Sequence, residues 1–212
     1  MEFHYHLLSS YAQKTLIGLY EIGASFKPQT LNFMDPNARA EYESFYPIGK
    51  IPLLVLDDGT KLPESSIIIE HVDLTTPGGP RLMPADPARA LRVRLLDRQV
   101  DNYLNDTFQR IFFDGRKPPE KRDPEGVAIA RKRIEVMYHL LDAELTHGPW
   151  LAGDSFSLAD CAAAPCLSYL RGMIPFDAHK NLAAYASRLA ERPSVQRVQQ
   201  EAAPIVKAVL GG

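Results

Sequence analysis

Two cysteines, Cys161 and Cys166, are the only thiols in 212 residues, and both lie in an Ala-rich apolar stretch instead of a Cys-x-x-Cys pair. That arrangement argues for thiols packed in a reducing compartment and against a redox motif. Basic charge is not in excess either. Lys and Arg number 24 against 26 Asp and Glu, giving a net charge of −2 and a pI near 6.3. A surface built to hold phosphate backbones or anionic lipid would be basic, so nucleic acid is not expected as a partner. No run approaches the roughly 18 apolar residues of a membrane span, so no membrane partner is expected. The opening Met1-Glu2-Phe3-His4 carries no basic segment followed by an apolar stretch, which makes the cytoplasm the expected location. What remains is the composition of an ordinary globular protein, 45% hydrophobic and 24% charged. Its length exceeds the usual single-domain size of about 100–150 residues and suits one large domain or two modest ones.

The chain changes character near residue 77. Before it, Phe3, Tyr5 and Leu7 alternate with His4 and His6 as in a strand, and Leu16, Leu19, Tyr20 and Ile22 recur at helical spacing up to Gly23. A second strand is expected at about 29–33. The apolar run 51–56, the turn Asp57-Asp58-Gly59 and a return over 60–62 predict a hairpin, followed by a helix from about Ser65 to Leu74. Then Pro77, Gly78, Gly79, Pro80, Pro84 and Pro87 crowd into a stretch that can neither continue a helix nor pair in a sheet. Beyond it only helical spacing appears, as in Leu91, Leu95, Leu96, Val100, Tyr103, Leu104 and Phe108, and again in Ile134, Met137, Leu141 and Leu145. The expected organisation is therefore an α/β domain over 1–76, a linker over 77–86 and an all-helical domain over 87–212.

Two local patterns concern folding. Ser157 and Asp160 match the capping box, and the Ala162-Ala163-Ala164-Pro165 run behind them predicts a helix closely packed among neighbours. Ser10-Tyr11-Ala12-Gln13 reads as Ser-x-x-Gln, so Ser10 is the expected N-cap of the first helix with Gln13 reaching back. That leaves Ser9 without a structural duty. His4 and His6 lie two apart on a strand, but without a third ligand at a fixed spacing they do not make a metal site, and none is expected. Tyr5 alternates with Phe3 and Leu7 and is expected in the core. A Ser-His-Asp hydrolase is disfavoured, because no Gly-x-Ser-x-Gly surrounds the serines.

Four separated stretches carry a more specific signal: Ser9-Ser10-Tyr11-Ala12-Gln13-Lys14, Gly49-Lys50-Ile51-Pro52-Leu53-Leu54, Leu62-Pro63-Glu64-Ser65-Ser66-Ile67-Ile68, and Gly153-Asp154-Ser155-Phe156-Ser157-Leu158-Ala159-Asp160. In order and spacing the chain resembles the cytosolic glutathione transferases of the serine type, over nearly its whole length. The resemblance implies α/β plus all-α architecture, a thioredoxin-like N-terminal domain followed by an all-helical C-terminal domain. It also implies glutathione as co-substrate, a small hydrophobic electrophile as the second partner, and a homodimer. A cis bond at Ile51-Pro52 would turn the backbone of Ile51 outward to pair with the cysteinyl part of the tripeptide like an added strand, the alternative being a trans proline at an edge strand. Glu64 and Ser65 would receive the γ-glutamyl group at a helix N-terminus, unless they simply cap it. Lys50 would face the glycine carboxylate or stay solvated.

The resemblance assigns thiolate stabilisation to Ser9 by its place between the first strand and first helix. A hydroxyl donor and the positive end of a helix both favour a thiolate over a thiol of pKa about 8.5. Many relatives have proline where Ser10 stands, which leaves open which of Ser9 and Ser10 faces the sulfur. Tyr11, Tyr103, Phe108 and Phe112 are the expected electrophile contacts, and Asp101 the expected contact to the partner subunit's glutathione. The expected reaction is conjugation. The alternatives are a glutathione-fold binder without turnover, or a glutathione-dependent peroxidase or isomerase that keeps the thiolate and changes the second substrate. A thiol-transferring enzyme would ordinarily place cysteine at Ser9 or Ser10.

Overall fold

The computed structural model describes residues 1–33 and 35–210. The first compact unit, Met1–Leu82 with the C-terminal helix from Pro193, is built on a four-stranded sheet of order β2-β1-β3-β4. Its elements run β1 (Glu2–Tyr5), α1 (Ser10–Ile22), β2 (Lys27–Thr30), α2 (Pro36–Phe45), β3 (Leu53–Val55), β4 (Lys61–Pro63) and α3 (Ser65–Thr75). β2 is parallel to β1, β3 is antiparallel to β1, and β4 is antiparallel to β3. The second strand starts earlier than expected because it lies at the sheet edge, where Pro28 can sit opposite Phe3 without breaking a central ladder. Leu31 and Phe33, expected in that strand, instead pack on the cluster of Tyr42, Tyr46 and Leu53.

Helix α1 ends as the sequence predicts. Gly23 takes the left-handed conformation (φ 76°), and its amide donates to the carbonyls of Leu19 and Tyr20. Leu16, Ile17 and Leu19 are buried on it, and Tyr5 is 7% exposed and stacked on Phe3 at 5.0 Å. α1 also lies close to α3. A Cβ added at Gly18 would come within 2.8 Å of the side chain of Ile69, which is fully buried and β-branched. Gly18→Ala is therefore expected to lower stability by about 1–3 kcal/mol, the usual cost of overpacking, despite alanine's better helix propensity. Chemical denaturation of the variant checks this, and an equal or higher midpoint would contradict it.

The second unit, Met83–Arg192, is built of helices, with no strand among its described residues beyond an isolated bridge between Trp150 and Gly153. It comprises α4 (Pro87–Gln99), α5 (Asp106–Asp114), α6 (Pro124–Glu144), α7 (Leu158–Met173) and α8 (Lys180–Ala190), with a π-helical turn at Val100–Asn105 joining α4 to α5. Asp86 and Asp123 cap α4 and α6, each followed by proline at the first helical position. Along α4 and α5, Val93, Leu96, Val100, Leu104 and Phe108 form the buried face, whereas Leu91, Leu95 and Tyr103 are 67%, 46% and 59% exposed. Leu91 and Leu95 precede the π turn and lie on the face of α4 opposite Val93, Leu96 and Val100, so the expected stripe joined two faces of one helix.

Asp160 is the polar centre of this unit. Fully buried, it accepts from the Ser157 amide and hydroxyl (both 2.8 Å), the Leu151 amide (3.0 Å) and the Tyr185 hydroxyl (2.6 Å). The capping box expected from Ser157 and Asp160 is present. Burial pushes the carboxyl of Asp160 up against the pull of these donors, and burial beside that carboxylate pushes the Tyr185 phenol well above its ordinary value. Ala162, Ala163 and Ala164 are buried as expected, and so are Cys161 and Cys166, whose environment holds the Cys166 thiol far above the reactive range.

Residues 76–86 carry neither helix nor strand. Division by packing differs from division along the chain at two points. The first unit reaches Leu82, whose amide is tied to the buried carboxylate of Asp73 at 2.9 Å. The last helix, α9 (Pro193–Leu210), expected as the end of the helical domain, packs on α1 in the first unit. Its Val195, Val198 and Ala202 are buried at helical spacing. The Ser194 hydroxyl donates to Glu21, the Tyr20 hydroxyl to Glu201 at 2.8 Å, and Arg197 lies 3.8 Å from the Tyr20 ring centre.

Candidate functional site

Sheet topology brings three of the four signalled stretches to one edge. β1 and β4 run the same way and β3 runs against them, with His4, Leu53 and Pro63 forming one row across the sheet. Beyond that row the chain leaves β1 towards Ser9, enters β3 through Ile51-Pro52, and leaves β4 into Glu64-Ser65. Three stretches distant in sequence are thereby gathered at the place where two helices, α1 and α3, begin. Two backbone positive ends at one edge make a site suited to anionic groups.

Each piece is held by identifiable contacts. At the end of β1, His6 accepts the Leu8 amide on Nδ1 (3.2 Å), and its carbonyl receives the Ser9 amide (3.0 Å). This tight return places Ser9 at the start of α1. Burial lowers the pKa of His6, which favours the neutral ring that can accept this bond. In the sequence His6 shows as an alternating strand residue and, with His4, as a pair too small for a metal site; nothing in the pattern marks its part in this turn. His4, by contrast, packs its ring on Phe45 (5.3 Å) and Tyr42 (6.0 Å), and burial lowers its pKa as well.

The expected capping roles of the two serines are corrected by the geometry. Ser9, not Ser10, is the N-cap: its backbone is extended (φ −77°, ψ 118°) and its Oγ accepts from the Ala12 amide at 3.3 Å. Ser10 is the first helical residue and is buried. Gln13 does not reach back to Ser10. Its Nε2 donates instead to the Leu7 carbonyl at 2.6 Å, bracing the same turn from the helix side. The Ser-x-x-Gln spacing points to Ser10 because only Ser10 has Gln three residues on, yet the cap is Ser9, whose third residue is Ala12, and Gln13 turns to the Leu7 carbonyl. The cap bond uses one lone pair of Ser9 Oγ, and its proton remains a donor.

The bond Ile51-Pro52 is cis. β3 begins only at Leu53, so Ile51 lies outside the ladder, half-buried, while Lys50 is exposed. The Tyr42 hydroxyl donates to the Lys50 carbonyl at 2.8 Å and fixes this bend from α2. Burial raises the Tyr42 phenol above its ordinary value.

Glu64 departs most from regular backbone. Its φ is 71°, the one positive value at a non-glycine residue among the described residues. Such a conformation costs of order 1–3 kcal/mol and concentrates at ligand-binding positions. Glu64 makes no side-chain cap to α3, and the first intrahelical bond runs from the Ile68 amide to the Glu64 carbonyl. The amides of the first turn, beginning with Ser65, have no intrahelical acceptor. Ser65 is buried, Glu64 exposed, and the Glu64 charge helps burial raise the Tyr46 phenol. Lys14, only 1% exposed, donates from α1 to Ser66 Oγ at 2.8 Å and so ties the two helix starts together. A lysine in the buried stripe of a helix gave no functional signal in the sequence.

In the helical unit, Phe108 and Phe112 lie side by side (5.9 Å), with Phe108 stacked on Tyr169 and Arg116 over Phe112 at 3.7 Å. Tyr103 is exposed and Tyr11 half-buried. Asp101 is buried, and Arg98 binds it at 2.5 Å together with Asp97 at 2.8 Å.

A thioredoxin-like sheet with a cis-proline at the start of its central strand β3, followed by an all-helical unit, is the glutathione transferase architecture, and comparison with known proteins agrees. Residues 8–75 match the family model described as "Glutathione S-transferase, N-terminal domain", and residues 104–193 that described as "Glutathione S-transferase, C-terminal domain". Glutathione S-transferase GstB of Escherichia coli K12 is 30% identical over 165 residues, 76% of this chain and 79% of that protein. A glutathione S-transferase of Methylobacillus flagellatus, solved with glutathione bound, superimposes with a TM-score of 0.84 at 27% identity, covering 93% of this chain and 98% of that one. One from Methylobacterium radiotolerans, in complex with glutathione sulfonate, gives 0.80 at 29% identity over 93% and 94%. The chain belongs to the glutathione S-transferase family.

Proposed function

We propose that the protein is a glutathione transferase that conjugates glutathione to a small electrophile. Glutathione is the co-substrate, and it lies at the edge where α1 and α3 begin. The Ser65 amide and hydroxyl donate to the γ-glutamyl carboxylate, the Glu64 carboxylate accepts from the ammonium group, the Ile51 backbone pairs with the cysteinyl residue, and Lys50 faces the glycine carboxylate. The thiol meets Ser9. The observation that carries the reading is the Ser9 hydroxyl, which caps α1 as an acceptor and keeps its proton to donate. That donor, at the positive end of a 13-residue helix, lowers the thiol pKa. The thiol proton leaves to solvent. The sulfur then forms its bond to the electrophilic carbon as the leaving group departs with its electron pair, and Tyr11 supplies apolar surface beside the sulfur.

The reading is tested by glutathione conjugation to an aryl halide, with glutathione affinity measured by calorimetry on the same preparation. Saturable turnover is expected. Tight binding without turnover across several electrophile classes would identify a binder. The ligand site is tested separately by Glu64→Ala, which is expected to weaken glutathione binding by about 1–3 kcal/mol through loss of a charge-assisted contact. An unchanged dissociation constant would remove Glu64 from the site.

A further inference from the structure

The helical unit carries a cluster that conjugation does not use. Glu135 and His139 stand four residues apart on α6, and His179 is the residue that precedes α8. Glu135 Oε1 lies 3.4 Å from His139 Nε2 and 3.0 Å from His179 Nε2, and the three donor atoms all lie within 4.8 Å of one another. We propose that Glu135, His139 and His179 form a binding site for one divalent transition-metal ion of the zinc or nickel kind, which would join α6 to α8.

Geometry and donor chemistry both support this. A tetrahedral zinc ion with bonds of about 2.0–2.2 Å holds its ligand atoms roughly 3.3 Å apart. Two of the three separations are already close to that value. The third closes by rotation of His139, which is exposed, towards His179, which is buried and fixed. His179 is fixed by its backbone, whose amide donates to the Phe176 carbonyl (2.9 Å) and whose carbonyl accepts from Ala183 (2.8 Å). Its ring stands edge-on to His139 at 4.6 Å and to Tyr138 at 5.6 Å. Two imidazoles and one carboxylate suit zinc, nickel or copper, whereas magnesium and calcium prefer oxygen alone. Coordination through both Nε2 atoms uses the tautomer that carries the ring proton on Nδ1. Water fills the remaining positions, since Glu135 and His139 open to solvent. The site is on different helices from those that cradle glutathione, so it stands or falls apart from the proposed transferase activity.

The test titrates zinc chloride and nickel chloride into tag-free protein by calorimetry, beside magnesium chloride, using wild type, His139→Ala and Glu135→Gln. Saturable binding of one ion per chain is expected for zinc and nickel, weakened at least about tenfold in His139→Ala. The melting temperature of the wild type should rise with metal concentration while that of His139→Ala stays flat, because an ion that binds only the folded state stabilises it by mass action. His139 is exposed, so the variant is expected to fold. Absence of saturable zinc and nickel binding, equal affinity in both variants and wild type, or magnesium binding as tight as zinc would each overturn the proposal.

Discussion

Asp160→Ala lowers the stability of the protein by about 3–5 kcal/mol, the scale seen when a buried, fully hydrogen-bonded charge network loses one member. The removed carboxylate serves two backbone amides and two hydroxyls. The Ser157 and Tyr185 hydroxyls can turn to other acceptors, but the Leu151 and Ser157 amides are fixed by the fold and lose their partner inside the protein. Had Asp160 only capped α7, the loss would be about 0.5–2 kcal/mol. Thermal denaturation separates the two, since the larger loss corresponds to a melting-temperature drop of about 6–20 °C for a chain of this size. Glutathione affinity of the folded variant should be unchanged, because Asp160 belongs to the helical unit and the proposed ligand contacts to the sheet edge. A drop within the capping range would reduce Asp160 to a helix cap, and lost binding in a stable variant would move it into the ligand site.

How far the sequence could be read follows from what each residue contacts. The capping box at Ser157 is a local pattern, so spacing revealed it; Leu151 and Tyr185, which make Asp160 a hub, lie 9 and 25 residues away and left no trace in that pattern. The hairpin, Gly23 and the Pro/Gly stretch were legible because turn chemistry is local. The strand expected at 29–33 lies at 27–30, because Pro28 is tolerated on an edge strand and only the sheet order reveals that the strand is an edge. Helix α9 resembles the other amphipathic helices in sequence, and nothing local indicates that its Val195 and Val198 face α1. The Glu135 and His139 pair is common on helices, and its third member stands 44 residues from Glu135. The cis bond at Pro52 and the positions of Glu64 and Ser65 came from the family resemblance, with composition and periodicity adding little.

Ser9→Ala slows conjugation by about ten- to a hundredfold, equivalent to the 1.4–2.7 kcal/mol of one hydrogen bond to a charged group. Because Ser9 is also the N-cap, the same change costs about 1 kcal/mol of stability. The two effects separate in Ser9→Gly, since glycine at an N-cap loses only a few tenths of a kcal/mol while still removing the hydroxyl. Ser9→Gly is therefore expected to match Ser9→Ala in rate and to approach wild type in melting temperature. Ser9→Thr, which keeps a hydroxyl, should retain most of both. Ser10→Ala removes a buried hydroxyl that is not the cap, and its conjugation rate should stay near wild type. Rates that follow melting temperature across this series would assign Ser9 to folding alone.

Glutathione activation by Ser9 is tested most directly by following the ultraviolet absorbance of the thiolate in the binary complex as a function of pH, for wild type, Ser9→Gly and Ser10→Ala. The predicted result is a bound thiol that titrates below the free value of about 8.5 in wild type and in Ser10→Ala, and moves up by roughly one to two pH units in Ser9→Gly. A thiol pKa that is unmoved by Ser9→Gly, or that shifts with Ser10→Ala instead, would contradict the assignment of the thiolate to Ser9.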